Sequence, residues 1–358
     1  ACISLVIPAF MLRVRIVDRW GVFLGVFGFL MVASVFVFGR SMYGATNWIS
    51  IGGFSLQPSE LAKIVFVFFV AAMLARNTSF KRIVITTAAA AAYVLVLVVE
   101  RDLGAAVIFF VTYLVMLYVA TRQFRYMALG LGAGSAAAVV AYKLFDHVKT
   151  RVVAWSDPWG NYNDAGYQIA QSLFAIGTGG WFGMGLGKGM PNIIPVVDKD
   201  FIFAAICEEL GAIFAICMLL VCMSCYLMIV NVSMQMSKPF YKLIAMGLGA
   251  EYAFQVFLTV GGTSKFIPMT GITLPLVSYG GSSVICTILM FAIIQGLYIL
   301  REDEGEELER KRKEKRKKSK KPPKQNPPGG NGLSGGTGYR EKTLEEKIQE
   351  QTEKSLNW

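Results

Sequence analysis

Long apolar runs constrain this chain more than any other feature of its sequence. A helix needs about 20 apolar residues to cross a bilayer, and eight runs reach or approach that length. They span residues 20–39, 61–75, 83–99, 103–120, 126–142, 201–230, 243–260 and 282–300. The runs are continuous rather than alternating, and backbone groups in lipid must be hydrogen-bonded within their own segment. The sequence therefore predicts an all-α, polytopic transmembrane helical bundle.

The chain has few charged residues, and they are spread over separate segments. This argues against a soluble domain and against a nucleic-acid-binding protein. Only 16% of the residues are charged, against about 25% in soluble domains. The net charge of +11 is split between short turns and residues 301–358, so we expect no folded basic face and no nucleic-acid partner. The six cysteines lie in apolar runs and His147 is the only histidine. No spacing therefore indicates a zinc site or a disulfide framework.

The basic residues are concentrated in every second turn, and this pattern predicts the orientation of the bundle. The turns rich in Lys and Arg are 13–19, 76–82, 122–125 and 238–242. The alternating turns, which carry one basic residue each, are 40–60, 100–102 and 261–281. By the positive-inside rule the first set is cytoplasmic. Residues 143–200 then form a large extracytoplasmic loop.

The pattern divides the chain into a transmembrane domain, residues 1–300, and a basic cytoplasmic tail, residues 301–358. The tail mixes Lys, Arg and Glu with a Pro/Gly-rich stretch, a composition that predicts disorder. Its Lys/Arg run at 310–321 suits anionic lipid headgroups, and a solvated tail without a role is an equal alternative. The first apolar run, residues 1–10, is about half a span, so we expect the chain to begin inside a transmembrane helix.

Ionisable residues near the outer ends of the helices indicate a site. Charges in spanning segments are costly and usually functional, and here they are Glu60, Lys63, Glu100, Arg101, Asp102, Asp198, Lys199, Asp200, Glu208, Glu209 and Glu251. All but Glu251 fall at or near the outer ends, which predicts a polar cavity that opens outwards.

Several of these residues have a structural interpretation as well. Asp200 precedes an apolar run, so a helix N-cap and a catalytic role have equal weight. Glu60 suits the first turn of a helix, where the helix dipole favours a carboxylate. Arg101 and Asp102 fit a solvated turn, and Glu251 fits a pair with a base on a neighbouring helix.

The predicted outer loop contains two further patterns. Residues 183–189 superficially resemble a nucleotide-binding loop, but no strand precedes them and no Ser or Thr follows Lys188. A flexible loop is therefore expected there. Residues 166–177 are amphipathic and too short to span, which is typical of an interfacial helix.

The polar outer segments resemble the SEDS family of peptidoglycan glycosyltransferases, typified by FtsW, RodA and SpoVE. The resemblance covers residues 1 to about 300 and rests on blocks that agree in order, spacing and topology. These blocks are 44–49 with 57–63, 102–106, 166–187, 200–211 and 268–283. The chain departs from the family at Asn47, Arg101 and Ala105, where arginine, proline and threonine are usual.

This resemblance implies ten transmembrane helices, of which eight full spans and an N-terminal stub lie in this chain. It implies polymerisation of lipid II, an undecaprenyl-diphosphate-linked disaccharide-pentapeptide, at the outer face of a bacterial cytoplasmic membrane. Asp200 matches the motif aspartate and is the implied catalytic residue, acting as general base. The implied substrate-binding or cavity residues are Trp48, Glu60, Lys63, Asp102, Gln171, Ser172, Ser278, Tyr279 and Gly280.

The resemblance also implies a partner, a class B penicillin-binding protein. Lys63 or a divalent cation, Mg²⁺ or Mn²⁺, would stabilise the leaving diphosphate, and the metal ligands stay unassigned. Cell division, cell shape and sporulation all stay open as roles. Two rival functions stay open. A lipid II flippase or other transporter would also have an outward polar cavity, and a non-catalytic scaffold would fit a wall-synthesis complex.

Overall fold

The structure is a computed structural model that describes residues 21–42, 45–51 and 54–319. The predicted stub at 1–10 and the tail from residue 320 onwards lie outside the described residues. The internal contacts of the chain separate two units, Ala1–Leu308 and Glu309–Trp358.

The described chain is predominantly helical. In chain order its helices are α1 (Gly21–Ala33), α2 (Val35–Phe38), α3 (Pro58–Arg76), α4 (Phe80–Val99), α5 (Leu103–Thr121), α6 (Phe124–Leu144), α7 (Asp146–Ser156), α8 (Tyr167–Gly179), α9 (Ile202–Gln235), α10 (Pro239–Thr263) and α11 (Gly281–Ser319). Eight segments are long and apolar enough to cross a membrane, with α1 and α2 together forming one of them. The eight predicted spans are therefore confirmed.

The last helix is longer than the sequence predicts. Helix α11 continues to Ser319, past residue 300, where the tail composition indicates disorder. Glu, Lys and Arg are good helix formers, which accounts for the extension.

Three short strands follow α2 and were not predicted. Strands β1 (Arg40–Met42), β2 (Ala45–Ile51) and β3 (Phe54–Leu56) form an antiparallel sheet in the order β1-β2-β3. The register pairs Arg40 with Trp48 and Ile49 with Leu56. We call the end of the bundle that carries this sheet the sheet end, and it corresponds to the predicted extracytoplasmic side.

Helix α10 is central to the bundle and packs against α3, α5 and α9. The core beside it contains an aromatic cluster, in which the Phe66 ring lies 5.1 Å from that of Tyr93 and 4.9 Å from that of Phe109. Tyr93 donates its hydroxyl to the Gly25 carbonyl, and Gly28 leaves room for this hydroxyl, because a Cβ added there would lie 2.7 Å from it. A hydroxyl in this apolar region needs such a partner.

Helix α9 is broken at Gly211, nine residues after its start. Gly211 has φ 84° and ψ 170°, a conformation that is essentially restricted to glycine. The residues on either side of the break turn their backbone groups towards the loop at 180–190. Amides of Met184 and Gly185 donate to the carbonyls of Glu208 and Glu209.

The same loop is held from the other side of the break. The amides of Ala212 and Ile213 donate to the carbonyls of Gly180 and Trp181. The carboxylates of Glu208 and Glu209 accept hydrogen bonds from the amides of Met190 (2.9 Å) and Gly187 (3.2 Å) respectively. The loop at 180–190, which the sequence predicts as flexible, is therefore fixed at the break in α9. Hydrogen bonds to residues on both sides of Gly211 satisfy its backbone groups.

Asp102 ties the elements of the sheet end together. Its Oδ2 accepts hydrogen bonds from Asn47 Nδ2 (3.0 Å), Gln57 Nε2 (2.9 Å) and Ser59 Oγ (3.0 Å). Its Oδ1 accepts from the Ala105 amide (3.1 Å), so that Asp102 is the N-cap of α5. One carboxylate thus joins β2, the start of α3 and the start of α5.

The interpretation of Arg101 and Asp102 as a solvated turn is correct for Arg101, which is exposed, and wrong for Asp102, which is buried beside Glu100. Glu100 is 1% exposed and Asp102 is 5% exposed. Burial and the nearby charge of Asp102 raise the pKa of Glu100 to about 8. Glu100 is therefore neutral at physiological pH, and Asp102 carries the negative charge of the turn.

We expect Gly211→Ala to destabilise the protein by roughly 3 kcal/mol, since a side chain is strained in this conformation. An added Cβ would also lie 2.4 Å from the Gly183 amide nitrogen. The measurement is thermal unfolding in detergent, followed by tryptophan fluorescence. Gly177→Ala is the matched control, because a Cβ there meets nothing within 4 Å and alanine favours a helix by about 0.5–1 kcal/mol. Equal unfolding temperatures for both variants would contradict the assignment of the break.

Asp102→Ala should lower the unfolding temperature sharply, because three side-chain donors lose their acceptor. Each buried donor left unsatisfied costs about 1–3 kcal/mol. Asp102→Asn keeps one acceptor oxygen, so its unfolding temperature should lie between those of Asp102→Ala and the unmutated protein. Asp164→Ala removes an exposed carboxylate and should unfold like the unmutated chain. Similar unfolding temperatures for Asp102→Ala and Asp164→Ala would show that the hydrogen bonds to Asp102 do not stabilise the protein.

Candidate functional site

A cavity of about 750 Å³ opens at the sheet end of the bundle. Its wall combines β2, the turn before α5, helix α7, the start of α8 and the segment between α10 and α11. The polar and charged residues that line it are Asn47, Trp48, Gln57, Glu60, Arg101, Asp102, Thr150, Arg151, Gln168, Lys199, Asp200, Thr270, Thr273, Tyr279, Ser282 and Ser283. The polar cavity predicted from the charge pattern is thus present at the sheet end, and its outward orientation stays a prediction.

Asp200 is placed at this cavity by the residue that follows it. Phe201 is 1% exposed and packs in a small cluster with Ala175, Ile194 and Ala204, which anchors the start of α9 against α8. The N-cap of α9 is Phe201, so the interpretation of Asp200 as a helix cap is wrong. Among the described residues, no hydrogen bond ends on the Asp200 carboxylate, which lines the cavity.

Arg151 of α7 faces the same part of the cavity as Asp200. A Cβ added to Gly271 would lie 3.7 Å from Asp200 Oδ2 and 4.0 Å from Arg151 Nη2, so both groups converge on this glycine. Gly271 has φ 73°, which lets the backbone turn between them. The Arg151 guanidinium is oriented by a hydrogen bond of 3.2 Å to the Met269 carbonyl.

The electrostatics of Asp200 suit a group that exchanges a proton near neutral pH. Burial raises the pKa of Asp200 to about 6, and the positive charges of Arg151 and Lys199 oppose that rise. The carboxylate is therefore ionised at pH 7 yet much more basic than an exposed aspartate. Such tuning of a carboxyl group is typical of general bases.

A buried polar network forms the floor of the cavity. Lys63 Nζ lies 3.0 Å from Glu60 Oε1 and 3.2 Å from Gln255 Oε1, and Gln255 Nε2 donates to the Thr273 carbonyl at 3.1 Å. Glu60 lines the cavity, whereas Lys63 lies beneath it. Lys63 also interacts electrostatically with Glu251, so the expected basic partner of Glu251 is present, although the close ion pair of Lys63 is with Glu60.

The structure brings together part of the set of predicted cavity residues. Trp48, Glu60, Asp102, Tyr279 and Gly280 line the cavity with Asp200.

The other predicted residues contact protein groups rather than the cavity. Gln171 Nε2 donates to the Tyr162 hydroxyl at 2.7 Å, and Ser172 Oγ donates to the Thr263 carbonyl at 2.9 Å. Ser278 Oγ accepts from the Leu274 amide at 2.8 Å. In this structure these three side chains shape the frame around the site.

Sequence reasoning missed Arg151, which provides a cation facing Asp200. The residue lies in the predicted outer loop, for which the sequence predicts only one short helix, at 166–177, whereas the structure has a further helix at Asp146–Ser156. A signal was present in the sequence: Thr150, Arg151 and Ala154 are spaced to share one face of a short helix. All three line the cavity.

The carboxylates of the cavity do not form a preassembled metal site. Among the residues that the structure describes, no three His, Cys, Asp or Glu side chains cluster as ligands. Asp102 is engaged by four donors and Glu60 by Lys63. Within the described part of the chain, the arrangement therefore offers Mg²⁺ or Mn²⁺ no ready set of protein ligands.

Residues 1–302 match the family model described as "Cell cycle protein", which covers FtsW, RodA and SpoVE. The peptidoglycan glycosyltransferase RodA of Mycobacterium bovis is 36% identical over 299 residues, which cover 78% of this chain and 64% of that protein. A probable peptidoglycan glycosyltransferase FtsW of Aliivibrio salmonicida is 34% identical over 297 residues, covering 79% of this chain and 74% of that protein. The chain thus spans a little under two thirds of the length of the mycobacterial relative.

Solved structures share the fold. A chain from a structure described as "Structural coordination of polymerization and crosslinking by a peptidoglycan synthase complex" matches with a TM-score of 0.70 and 24% identity, covering 84% of this chain and 87% of that one. The rod shape determining protein RodA of Thermus thermophilus matches with a TM-score of 0.59 and 22% identity, covering 84% and 85%. The family model and the relatives that are 34–36% identical show that this multi-pass membrane protein belongs to the FtsW/RodA/SpoVE family.

Proposed function

We propose that this protein is a glycosyltransferase that polymerises lipid II into glycan strands at the outer face of the bacterial cytoplasmic membrane. The observation that carries the proposal is the Asp200 carboxylate. It lies in a polar cavity of about 750 Å³ at a helix end, without a hydrogen bond from the described protein residues and close to Arg151. The names of the relatives, peptidoglycan glycosyltransferases, support the same reaction.

Asp200 would act as the general base of the transfer. A hydroxyl oxygen of the acceptor sugar attacks the anomeric carbon of the donor, and the bond from that carbon to the diphosphate oxygen breaks. The proton of the attacking hydroxyl passes to Asp200, and the bonding electrons leave with the polyprenyl diphosphate. A carboxyl group with a pKa of about 6 is basic enough to take that proton and still ionised at pH 7.

The negative charge on the departing diphosphate needs cations in place before the reaction. Arg151 and Arg101 line the cavity beside Asp200 and are suited to this role, because a guanidinium binds phosphate oxygens through two parallel hydrogen bonds. Lys63, for which the resemblance implies the same task, is buried and paired with Glu60. We assign it to holding Glu60 in place at the cavity wall.

The setting and the partner follow from the same proposal. By the positive-inside rule, the basic turns favour a sheet end outside the cytoplasm and a C-terminal tail inside it. A class B penicillin-binding protein would cross-link the strands. The structural relative with a TM-score of 0.70 belongs to a complex that both polymerises and cross-links peptidoglycan, which supports such a partner.

We expect Asp200→Ala to lower the rate of lipid II polymerisation at least about 100-fold, since general-base catalysis contributes 10²–10⁴-fold. The assay uses protein reconstituted in liposomes with purified lipid II and a class B partner, and glycan length is read on a gel. Asp198→Ala is the matched control, because this exposed aspartate two residues away does not line the cavity. Equal rates for both variants would remove Asp200 from the mechanism, and translocation of lipid II without polymer would favour a flippase.

The pH dependence of kcat/KM should reveal the ionisation of Asp200. Because only ionised Asp200 accepts a proton, kcat/KM should fall as the pH drops through about 6. Arg151 favours the ionised form and lowers this pKa, so Arg151→Gln should move the midpoint to higher pH. Lys149→Gln removes a charge from the same helix, from an exposed residue outside the cavity lining, and should leave the midpoint in place. Identical midpoints in all three proteins would assign the titration to another group.

A further inference from the structure

Glu251 lies inside the bundle, one helical turn from the polar network at the floor of the cavity. It is 3% exposed and belongs to α10. Gln255, four residues further along, shares its face of the helix and accepts a hydrogen bond from Lys63 Nζ at 3.2 Å. Helix α10 ends beside Asp200, whose carbonyl accepts from the Thr263 hydroxyl at 3.4 Å. Glu251 therefore lies one turn deeper in the bundle than Gln255.

Three charged side chains meet here, and two of them are acids. We call Glu60, Lys63 and Glu251 the buried triad, and each is at most 4% exposed. Lys63 Nζ lies 3.0 Å from Glu60 Oε1, and Glu251 interacts electrostatically with both of these groups. One ammonium group cannot neutralise two carboxylates, and uncompensated charge is costly inside a membrane protein. The triad therefore contains one acid more than its base can balance.

Glu251 also lacks a hydrogen bond at one of its oxygens. Its Oε1 atom is buried and has no hydrogen-bond partner among the described residues, whereas Glu60 Oε1 accepts a hydrogen bond from Lys63. A buried polar atom without a partner lowers stability, and such an atom in a native structure calls for an explanation. An acid in this position therefore points to a use for its charge.

Lys63 is able to bind either acid of the triad. A lysine has three N–H donors on a flexible four-carbon side chain, and two of these donors bind Glu60 and Gln255. The Cβ atoms of Gln255 and Glu251 are about 5–6 Å apart, as for any two residues one helical turn apart. A small movement of the Lys63 ammonium group along α10 would therefore exchange Glu60 for Glu251.

We propose that Glu251 is a positioning residue that offers Lys63 a second carboxylate, so that Glu60 is released to bind a sugar hydroxyl in the cavity. The structure shows the arrangement in which Lys63 is paired with Glu60. Glu60 already lines the cavity, so its carboxylate needs only to lose the lysine to accept a hydrogen bond from substrate. The inference deepens the proposed function and rests on it for the identity of the substrate.

The exchange predicts that variants of the two acids are not additive. Glu60→Gln and Glu251→Gln each leave Lys63 one carboxylate, so each alone should unfold close to the temperature of the unmutated protein. The double variant leaves a buried ammonium group without an acid. It should unfold at least about 6 °C below both single variants. The measurement is thermal unfolding of the full chain in detergent, followed by tryptophan fluorescence.

Thr112→Val is the matched control for the unfolding experiment. The buried Oγ1 atom of Thr112 also lacks a hydrogen-bond partner among the described residues, and the residue lies on α5 outside the cavity lining. Combined with Glu60→Gln, this variant should change the unfolding temperature by the sum of the two single effects, since the two sites share no partner.

Kinetics should separate positioning from a structural role. In Glu251→Gln, Lys63 stays on Glu60, so lipid II loses one charge-assisted hydrogen bond and its KM should rise about tenfold. The value of kcat should change little, because the lost contact serves the ground state and the transition state alike. Glu251→Asp keeps the second carboxylate and should restore most of the parent KM, and Thr112→Val should have the parent KM.

Three results would overturn the inference. They are additive unfolding shifts in the double variant of Glu60 and Glu251, a Glu251→Gln protein that unfolds far below the parent, and a KM that Glu251→Gln leaves unchanged. The unfolding cycle requires no catalysis, so its failure leaves the role of Asp200 untouched. An unmutated protein that makes no polymer would contradict the proposed function and leave the unfolding result intact.

Discussion

The buried charge of Asp102 is the constraint on which the sheet end depends. An ionised carboxylate that is 5% exposed persists only when donors surround it, and here the donors come from β2, α3 and α5. Satisfying this one group therefore fixes the small sheet against the helix ends. Its charge also extends into the cavity, where it acts on Arg151 and Asp200.

A second constraint fixes Asp200 itself. The loop at 180–190 is hydrogen-bonded into the break of α9 at Gly211, and Phe201 anchors the start of the same helix. Asp200 thus lies on a short segment held at both ends. A general base held in this way needs little reorganisation when substrate binds. The loop at 180–190 contributes no residue to the cavity lining, and its hydrogen bonds to residues 208–213 help to position α9.

The sequence predicts those parts of this protein whose structure depends only on residues nearby in the chain. Apolar runs predict the eight spans because the length needed to cross a bilayer depends on no other segment. The environment of Asp102 could not be predicted, because its side-chain partners lie 43 to 55 residues away along the chain. For the same reason the sequence did not reveal the role of Arg151, which depends on Asp200 across the cavity, or the fixed loop at 180–190, whose partners lie on both sides of Gly211. The charge pattern alone singles out Asp200 and gives a cap and a catalytic role equal weight, and the resemblance implies the catalytic role. The interpretation as a cap is wrong because Phe201 takes that position.

The most direct test of the central claim is a cryo-EM structure of the Asp200→Asn protein with lipid II in nanodiscs. An amide cannot accept the proton, so the substrates should remain bound before transfer. We expect density for sugar in the cavity between Arg151 and Tyr279, with a hydroxyl oxygen about 3 Å from the residue 200 side chain, the reach of a general base. Lipid II bound at another face of the bundle, with this cavity filled only by solvent, would contradict the account.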